Sequence, residues 1–361
     1  MRIEISGLRE FGKLEALWRA LEAEAPDVSF FQTWTWVGCL AEERFTDPVV
    51  VHGHEGGRTV ALALFNRRAE TLFLTESGDP DLDSVFIEHN GPLVSASAEP
   101  GAAALLIRAA AAQRGIRRVV LSGVSPALAA ASGGVAATVV DRVAPHVELA
   151  LHADEAAYLA SRSANTRAQL RRSLRHFTRH GPAAITRASG VGEALCWLEE
   201  LMVLHQERWH RAGAAGAFAT GPVRRFHAAL LARAMARGEL DLARVAAGEV
   251  LLGYLYGFRY RDTLSAYQSG FCRFEESNDA RPGLVAHLLA ITAARQAGLR
   301  RYDFLAGAAR YKLSLATGAT TLSWQTRVSA RSPLAALALA RGLARRLRDR
   351  LSAGRARMEG D

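Results

Sequence analysis

Cysteine is scarce in this chain. Its 361 residues contain only three, at positions 39, 196 and 272, and they are widely separated in sequence. Three scattered thiols can build neither a disulfide framework nor a four-ligand zinc site, so nothing indicates an oxidising compartment. We therefore interpret Cys39, Cys196 and Cys272 as packed thiols and expect no metal cofactor.

Long apolar runs are also missing. No stretch of the chain reaches the roughly 18 to 20 consecutive apolar residues that a membrane-spanning helix needs. Residues 1–10 alternate polar and apolar side chains, as a strand does, and lack the basic and then apolar pattern of a secretory signal. Together these two absences predict a cytoplasmic protein.

Acidic residues are absent or outnumbered in two basic segments. Residues 161–181 contain six arginines and no acid (+6), and residues 331–361 contain eight arginines and three acids (+5). The chain as a whole carries +9, so the remainder carries 9 − 11, or −2. Basic patches on a near-neutral body favour a polyanionic partner such as a phosphate, a nucleic acid or an anionic membrane, although a solvated helix face is the commoner meaning of such a run.

An internal repeat is the most informative feature that is present. Residues 57–123 and 248–307 show the same landmarks in the same order. The matched pairs are Thr71-Leu72 and Thr263-Leu264, Ser77-Gly78 and Ser269-Gly270, Pro100-Gly101 and Pro282-Gly283, Gly115 and Gly298, Arg117-Arg118 and Arg300-Arg301, and Gly123 and Gly307. Two copies of a strand, strand, helix, strand unit indicate a duplicated domain. The loop between the Ser-Gly and Pro-Gly pairs is longer in the first copy.

Hydrophobic periodicity predicts a mixed α/β (α+β) protein with mainly antiparallel sheets flanked by helices. Helices are predicted at 10–25, 101–113, 155–179, 191–209, 222–237 and 284–297, and strands at 1–6, 49–51, 60–65, 71–74, 183–187, 240–246, 250–260, 263–269, 302–305 and 321–328. The Ala- and Gly-rich residues 126–135 are predicted to form a surface segment, and the aromatic residues within 30–36 to pack in a core or between domains. The predicted domains are 1–150 and 151–330, with a basic amphipathic tail at 331–361.

The start of the helix in the second copy, Arg281-Pro282-Gly283, is a candidate anion site. Proline suits the first turn of a helix, whereas glycine there costs about 1 kcal/mol relative to alanine, so some other benefit must offset that cost. A helix start without a side chain lets backbone N–H groups approach a phosphate, with the positive end of the helix dipole behind them. The first copy has Glu99 where the second has Arg281, and a carboxylate would repel a pyrophosphate. Only the second copy is therefore a credible anion site.

These residues carry a family resemblance. The chain resembles the FemAB-related branch of the GNAT superfamily, including the CelD-like acetyltransferases of polysaccharide synthesis, which pair two GNAT-like domains and keep the second better. The supporting residues are 31–37, Asn165-Thr166-Arg167, Leu170-Arg171-Arg172, His205, Trp209, Arg211, Gly213, Pro282-Gly283, Gly298, Tyr302-Asp303-Phe304-Leu305, Gly307 and Tyr311-Lys312. Two positions depart from the family pattern: Ala308 stands where an acid is usual, and Arg281 where a small residue is usual.

The resemblance implies acyl transfer from acetyl-CoA or another acyl-CoA to an amine or hydroxyl, without a covalent enzyme intermediate. The implied acceptor is a small molecule or saccharide, such as an amino-sugar or exopolysaccharide precursor. Among catalytic candidates, Tyr311 is the acid and His205 the leading base, with a structural histidine as the equal alternative. Asp303 is expected to orient His205 or a substrate amine, unless it caps a turn.

Binding roles are implied for ten further residues. The pyrophosphate is expected at Arg281, Pro282, Gly283 and Leu284, and Lys312 to hold a phosphate or a substrate carboxylate. Oxyanion donors are expected from a bulged strand at Ser269 or Gly270. Trp209, Arg167 and Gln268 are expected to contact the acceptor.

Two other interpretations remain open at this point. FemAB-like relatives use aminoacyl-tRNA as donor, and the arginine helix at 162–179 suits phosphate contacts, although Phe177 is the only aromatic residue in it. The second is a non-catalytic scaffold, placed on the inner face of an anionic membrane by the tail at 333–361.

Overall fold

The computed structural model describes residues 1–8, 10–83, 85–275, 277, 279–330, 335 and 336. The strands are β1 (Arg2–Gly7), β2 (Pro48–Glu55), β3 (Arg58–Arg68), β4 (Thr71–Leu74), β5 (Leu93–Val94), β6 (Arg118–Val124), β7 (Val135–Glu148), β8 (Ala183–Arg187), β9 (Leu240–Ala247), β10 (Val250–Tyr260), β11 (Thr263–Phe271), β12 (Arg301–Asp303) and β13 (Gly318–Val328). The helices are α1 (Phe11–Glu24), α2 (Trp34–Arg44), α3 (Ala102–Ala111), α4 (Pro126–Ala131), α5 (Glu155–Ala160), α6 (Ala164–Thr178), α7 (Val191–Arg211), α8 (Gly221–Ala236), α9 (Pro282–Gln296) and α10 (Arg310–Leu315). Short 3-10 turns lie at Phe30–Gln32 and Leu149–Leu151.

The chain divides into two compact units. The first contains residues 1–83, 87–141 and the described residues from Leu322 onward, and the second contains residues 142–321 with Val85 and Phe86. The chain leaves the first unit within β7 and returns to it within β13. Residues 142–150 therefore lie in the second unit and 322–330 in the first, which differs from domain limits of 1–150 and 151–330.

The first unit is built on a mixed sheet. Strands β1 to β4 follow one another antiparallel, β4 then pairs parallel with β6, and β6 pairs antiparallel with β13. Helix α3 packs on this sheet through Leu106, Ile107 and Ala110. Those side chains recur at helical spacing, so one stripe of α3 is buried.

The second unit repeats the same order of pairing. Strands β8 to β11 are antiparallel neighbours, β11 pairs parallel with β12, and β12 pairs antiparallel with the end of β7. In both units the parallel contact involves three residue pairs and begins at a threonine, Thr71 or Thr263. The predicted fold class, a mixed α/β protein with mainly antiparallel sheets flanked by helices, is confirmed.

The core of the second unit lies between its sheet and α9. Leu284, Leu288 and Ile291 are buried on one side of that helix, against Leu252, Leu255 and Leu264 of β10 and β11. Each buried leucine or isoleucine contributes about 1.5–3 kcal/mol relative to its exposed state. This apolar stripe fixes the rotation of α9, and so fixes which residues of its first turns face the neighbouring space.

Two predicted elements are wrong. Residues 155–179 form two helices, not one: α5 ends at Ala160 and α6 starts after Ser163, whose hydroxyl accepts the Thr166 N–H at 3.2 Å. A side-chain acceptor at that position satisfies an N–H that a new helix leaves unpaired. Residues 126–135 are not a surface segment throughout, because they contain α4, with Ala129 fully buried, and the first residue of β7.

The aromatic cluster was predicted correctly. Phe30, Phe31, Trp34 and Trp36 are each at most 2% exposed. The rings of Phe31 and Trp36 meet edge to face with centroids 4.8 Å apart, a favoured arrangement for aromatic pairs. These residues are core of the first unit and not a stacking platform for a ligand.

The basic tail predicted at 331–361 lies outside the described residues, apart from Ala335 and Ala336. Ala335 is buried against Val328, Val135 and Ala137. In the part of the chain that is described, no helix combines the length and apolarity that crossing a membrane requires.

Candidate functional site

The two parallel strands of the second unit separate after a short contact. Strands β11 and β12 are paired only from Thr263 to Ser265, opposite Arg301 to Asp303. Strand β11 continues to Phe271, whereas β12 ends at Asp303. The later half of β11 therefore has an edge that β12 does not cover, and an extended chain can add to such an edge through main-chain hydrogen bonds.

A cavity of about 490 Å³ opens beside the start of α9. Its lining comes from α6, α7, the end of β11, α9 and α10: Asn165, Thr166, Gln169, Arg208, Phe271, Arg281, Gly283, Leu284, His287, Arg310, Tyr311 and Ser314. A volume in the range of small-molecule sites is typical of a ligand pocket, and most of the side chains that line this one are polar or charged. The cavity contains the predicted anion site.

Backbone N–H groups at the start of α9 are mostly in use. The Leu284 N–H donates to the Arg281 carbonyl at 3.1 Å, and the Arg281 N–H donates to the Ser173 hydroxyl at 2.9 Å. Proline has no N–H, so Pro282 cannot contribute a donor of its own. Within the described residues this leaves the Gly283 N–H as the donor of the first turn that is available to an anion. Binding of a pyrophosphate at Pro282, Gly283 and Leu284 stays a prediction, with Gly283 as the residue among them that offers an N–H.

Positive charge compensates for the few backbone donors. Three arginines line the cavity: Arg281 next to the helix start, Arg208 from α7 and Arg310 from the first residue of α10. The Arg281 guanidinium also donates to the Gln169 side-chain oxygen at 3.0 Å. This hydrogen bond holds the guanidinium between α6 and α9. Arginine forks match phosphate oxygens in geometry and charge, so the cavity suits a phosphorylated ligand.

The corresponding place in the first unit is closed. The Asn90 side-chain amide donates to the carbonyls of Leu74 and Ser122, at 3.2 and 3.1 Å, and so bridges β4 and β6 where these strands would otherwise separate. Gly101 adopts a left-handed φ of +84° and precedes α3, so Pro100-Gly101 forms a turn and not the first turn of a helix. The longer loop of the first copy thus fills its own gap, which supports our choice of the second copy.

Tyr311 lies in the cavity wall and stacks on His287. Their ring centroids are 5.1 Å apart and the ring planes differ by 21°. Burial raises the pKa of the Tyr311 phenol above its usual value, with a smaller opposing effect of the Arg208 charge. Burial, reinforced by the charge of Lys312, lowers the pKa of His287 to about 3. Both side chains are therefore neutral near pH 7, the phenol as a proton donor.

His205 does not line the cavity, and both its ring nitrogens are bonded. Nδ1 lies 3.1 Å from the Ser269 carbonyl oxygen, and Nε2 accepts the Ala217 N–H at 3.2 Å. Burial lowers the pKa of His205, so its neutral form fits these two bonds: Nδ1 carries the proton and the lone pair of Nε2 is already used. A base needs a free lone pair, and the geometry therefore favours the structural alternative for this histidine.

Asp303 and Lys312 each hold a turn. The Asp303 carboxylate, 2% exposed, accepts the Leu305 N–H at 2.7 Å, and Leu305 has a φ of +61° that a side-chain hydrogen bond helps to stabilise. The Lys312 ammonium donates to the carbonyls of Leu305 and Ala306, at 3.2 and 2.8 Å. Neither residue lines the cavity, so the turn-capping alternative fits Asp303.

The predicted bulge of β11 lies two residues earlier than expected. Tyr256 pairs with Gln268 and Gly257 with Ala266, so Tyr267 is the extra residue. A Cβ at Gly270 would stand 2.5 Å from the Leu201 carbonyl oxygen, which shows that Gly270 permits close packing of α7 on β11. Ser269 accepts the His205 bond. Neither residue lines the cavity, and oxyanion donation by them stays a prediction.

The three predicted acceptor contacts are also outside the cavity lining. Trp209 is 38% exposed and lies one turn from His205, with ring centroids 6.0 Å apart. The Arg167 guanidinium donates to the Arg162 carbonyl, and Gln268 is half-buried on β11 opposite Tyr256. Their role in acceptor binding stays a prediction.

Sequence reasoning missed several lining residues. Arg208, Arg310, Phe271 and His287 stand on four separate elements, and only tertiary packing brings them together. A signal existed for His287 alone, since it lies four residues after Gly283 and therefore on the same face of α9.

Residues 164–313, from α6 to α10, match the sequence profile of the acetyltransferase (GNAT) domain family. Every residue that lines the cavity lies within that span or one residue beyond it. No curated protein sequence matches the chain.

Solved structures share the fold along nearly the whole chain. A crystal structure of FemX is 12% identical with a TM-score of 0.59, over 89% of this chain and 96% of FemX. The C-terminal domain of a putative lysylphosphatidylglycerol synthetase from Agrobacterium fabrum is 13% identical with a TM-score of 0.55, over 92% of this chain and 96% of that one. At these identities the likeness is one of fold. The match over residues 164–313 confirms a GNAT domain in the second unit.

Proposed function

We propose that the chain is a FemAB-related acyltransferase built around the GNAT domain that its residues 164–313 match. In this proposal the chain transfers an acyl group, acetyl first of all, from acyl-CoA to an amine or hydroxyl of a small acceptor. An amino sugar or polysaccharide precursor is the acceptor that the family resemblance suggests. The observation that supports the proposal is the arginine-lined cavity at the start of α9, beside the uncovered edge of β11.

The donor's diphosphate is proposed to bind at the start of α9. Gly283 offers an N–H on the positive end of the helix dipole, and Arg281 stands beside it. The diphosphate of coenzyme A is a diester with one negative charge on each phosphate, which the lining residues Arg208 and Arg310 also attract. The pantetheine arm then follows the edge of β11 in the manner of an added strand.

The reaction needs one proton at the departing sulfur. The acceptor's nitrogen or oxygen lone pair attacks the thioester carbon, the C–S bond breaks, and the thiolate takes the proton of the Tyr311 hydroxyl. The proton lost by the acceptor then restores the phenol, directly or through water, so the enzyme ends unchanged. Burial keeps Tyr311 protonated at neutral pH, and the nearby Arg208 charge stabilises the phenolate that forms transiently.

The remaining predicted residues take supporting roles in this account. His205 ties α7 to β11 and to the loop at Ala217 through its two bonds. Asp303 and Lys312 fix the turn that follows β12, which precedes Tyr311 by a few residues. Trp209, Arg167 and Gln268 remain proposed contacts for an acceptor that approaches from the α7 side.

A second donor is favoured by one specific observation. Helix α6 lines the cavity with Asn165, Thr166 and Gln169. Arg171 and Arg175 of this helix, and Arg179 directly after it, are exposed to solvent. A row of exposed arginines next to an acyl-transfer cavity suits the phosphate backbone of an aminoacyl-tRNA. In that case the aminoacyl ester, and not a thioester, enters the cavity.

Parallel binding measurements separate the two donors. Calorimetric titrations with acetyl-CoA and with an aminoacyl-tRNA analogue are made at about 150 mM salt, where weak non-specific phosphate contacts are screened. Saturable binding of acetyl-CoA, with no saturable binding of tRNA, is the result that our proposal predicts. The reverse pattern would replace acyl-CoA by aminoacyl-tRNA. A matched variant, Arg171→Gln with Arg175→Gln, should weaken tRNA binding alone.

A further inference from the structure

Among the residues that the structure describes, one nitrogen of the cavity wall is buried without a hydrogen-bond partner. His287 is 3% exposed, lines the cavity, and has its Nδ1 2.8 Å from the Tyr302 hydroxyl. Its Nε2 is buried and has no hydrogen-bond partner in the described part of the chain. Leaving a buried polar atom unpaired is unfavourable, and such atoms usually acquire a partner in a functional state.

The contact with Tyr302 defines which proton His287 carries. Tyr302 is 1% exposed, and the bond to His287 is the hydrogen bond that its hydroxyl makes within the described residues. A buried phenol donates its proton when an acceptor is in reach, so the Tyr302 O–H donates to Nδ1. The imidazole is neutral because it is fully buried, and its one proton then lies on Nε2. The unpaired atom is therefore a donor.

The position of this donor on α9 restricts which ligand atoms it can contact. His287 follows Gly283 by one helical turn on the same face, about 6 Å further along the helix. A chain that continues inward from a diphosphate at Gly283 passes this point. In an acyl-CoA that chain carries neutral carbonyl oxygens, two in the amides of pantetheine and one in the thioester.

We propose that His287 Nε2–H is a binding donor for a carbonyl oxygen of the acyl-CoA chain, with Tyr302 as the positioning residue that fixes the imidazole tautomer. A neutral, preorganised donor suits a neutral carbonyl oxygen, because a cation would attract anions and water instead. The stacked Tyr311 ring holds the imidazole from one face, and Phe271 meets it edge to face with centroids 6.2 Å apart. This inference rests on the proposed acyl-CoA function.

Titration of CoA and of acetyl-CoA into a set of variants tests the proposal without knowledge of the acceptor. His287→Phe keeps a ring against Tyr311 and removes the N–H, whereas His287→Gln retains an N–H at the end of the side chain. The double variant His287→Phe with Tyr302→Phe also removes the Tyr302 hydroxyl, which would otherwise lose its hydrogen bond to His287. His227 with Tyr256 is the matched control, since this buried pair, 3.4 Å apart, does not line the cavity.

Loss of one neutral hydrogen bond should weaken binding about 5- to 10-fold. If the thioester carbonyl is the partner, His287→Phe weakens acetyl-CoA and leaves CoA unchanged; if a pantetheine amide is the partner, both weaken equally. His287→Gln should bind more tightly than His287→Phe and retain most of the wild-type affinity. Tyr302→Phe alone should lower the affinity about 2- to 3-fold, because the imidazole loses its tautomer preference. His227→Phe should change neither ligand's affinity.

The inference and the proposed function fail in distinguishable ways. Unchanged affinity of both ligands for the double variant, with wild-type binding intact, overturns the role of His287 and spares the acyl-CoA assignment. Absence of CoA and acetyl-CoA binding in the wild type overturns the assignment itself. Melting temperatures of all variants accompany the titrations, and the Gln variant and double variant decide the question should His287→Phe unfold.

Discussion

The ring of Phe271 lies against the backbone of Gly283, so closely that a Cβ at position 283 would stand 3.0 Å from Phe271 Cε2. The end of β11 and the start of α9 therefore meet at a glycine. A side chain at this position would either displace the ring or enter the cavity. The same glycine is the first-turn residue that offers an N–H to an anion. Packing against Phe271 and binding of an anion therefore both require a residue without a side chain at position 283.

Gly283→Asp should abolish acyl-CoA binding. The new carboxylate would stand beside the proposed diphosphate and repel it, and an affinity loss of at least about 100-fold is expected for a like charge in contact. Calorimetric titration with CoA measures it. Gly192→Asp is the control, because Gly192 is likewise the second residue of a helix, α7, with open space around it. Equal loss in both variants, or no loss in either, would contradict the anion site.

Arg310→Gln should weaken CoA binding about 3- to 10-fold and make it less sensitive to salt. Arg310 lines the cavity opposite the start of α9, and one partly exposed arginine on a phosphate typically contributes that much. The exposed Arg225 of α8 lies outside the cavity, so Arg225→Gln is the matched control. A salt dependence that is unchanged in Arg310→Gln would remove this arginine from the phosphate site.

Tyr311→Phe should lower turnover at least about 100-fold without loss of CoA affinity, the range typical for removal of a general acid. The phenylalanine ring preserves the stack on His287 and lacks the proton that the thiolate needs. Release of the CoA thiol is measured with an acceptor identified from a panel of amines and amino sugars. Tyr260→Phe, at the end of β10 and away from the cavity, serves as control. Wild-type rates in Tyr311→Phe would exclude this residue as the acid.

His205→Gln should destabilise the protein and leave the rate of acyl transfer within about threefold of wild type. Both imidazole nitrogens are used to bind backbone groups of Ser269 and Ala217, and glutamine replaces only one such bond well. Loss of one buried hydrogen bond costs about 1–3 kcal/mol, which lowers the melting temperature by a few degrees. A stable variant with its rate reduced 100-fold or more would instead establish His205 as the base.

The stability of the first unit should fall as pH rises from about 5 to 8. Burial, and then the charge of Asp83, raises the pKa of Glu76 to about 8. Between the unfolded and folded pKa values the folded chain holds a proton that the unfolded chain has lost, so rising pH favours unfolding until both states are ionised. Glu76→Gln can still accept the Ser122 hydroxyl and removes this titration. Relative to wild type it should be more stable at pH 8 than at pH 5, by at least about 2 °C in melting temperature.

An exposed acid provides the comparison for that measurement. Glu43→Gln, at the surface of α2, is measured at the same pH values as the comparison variant. A parallel pH profile for Glu76→Gln and wild type would show that Glu76 does not titrate in this range.

The sequence predicted the strands with a clear hydrophobic pattern. Strands β8 and β10 have the predicted limits of 183–187 and 250–260: Ala183 and Ile185 of β8 alternate with exposed residues, and β10 is a nearly continuous buried run. Strand β7 was missed: its Ala-rich first half lacks a strong pattern, and Pro145 near its end argues against a strand. The break before α6 depends on one capping serine, a signal too local for periodicity to show.

The location of the site was predictable, but most of its wall was not. Pro282-Gly283 carries a local backbone requirement, and Tyr311 follows a recognisable motif, so both could be placed in advance. Lys312 stands next to Tyr311 in sequence, yet its ammonium binds carbonyls of the preceding turn. Arg208 and Arg310 enter through the packing of α7 and α10, which no spacing in the sequence encodes.

The most direct test is a crystal structure of the protein grown with coenzyme A. The account predicts the diphosphate at the first turn of α9, beside Gly283 and Arg281, with the pantetheine arm along the uncovered edge of β11 and a carbonyl oxygen within 3.2 Å of His287 Nε2, a hydrogen-bond distance. Coenzyme A bound at another place, or an empty cavity at saturating concentration, would contradict it.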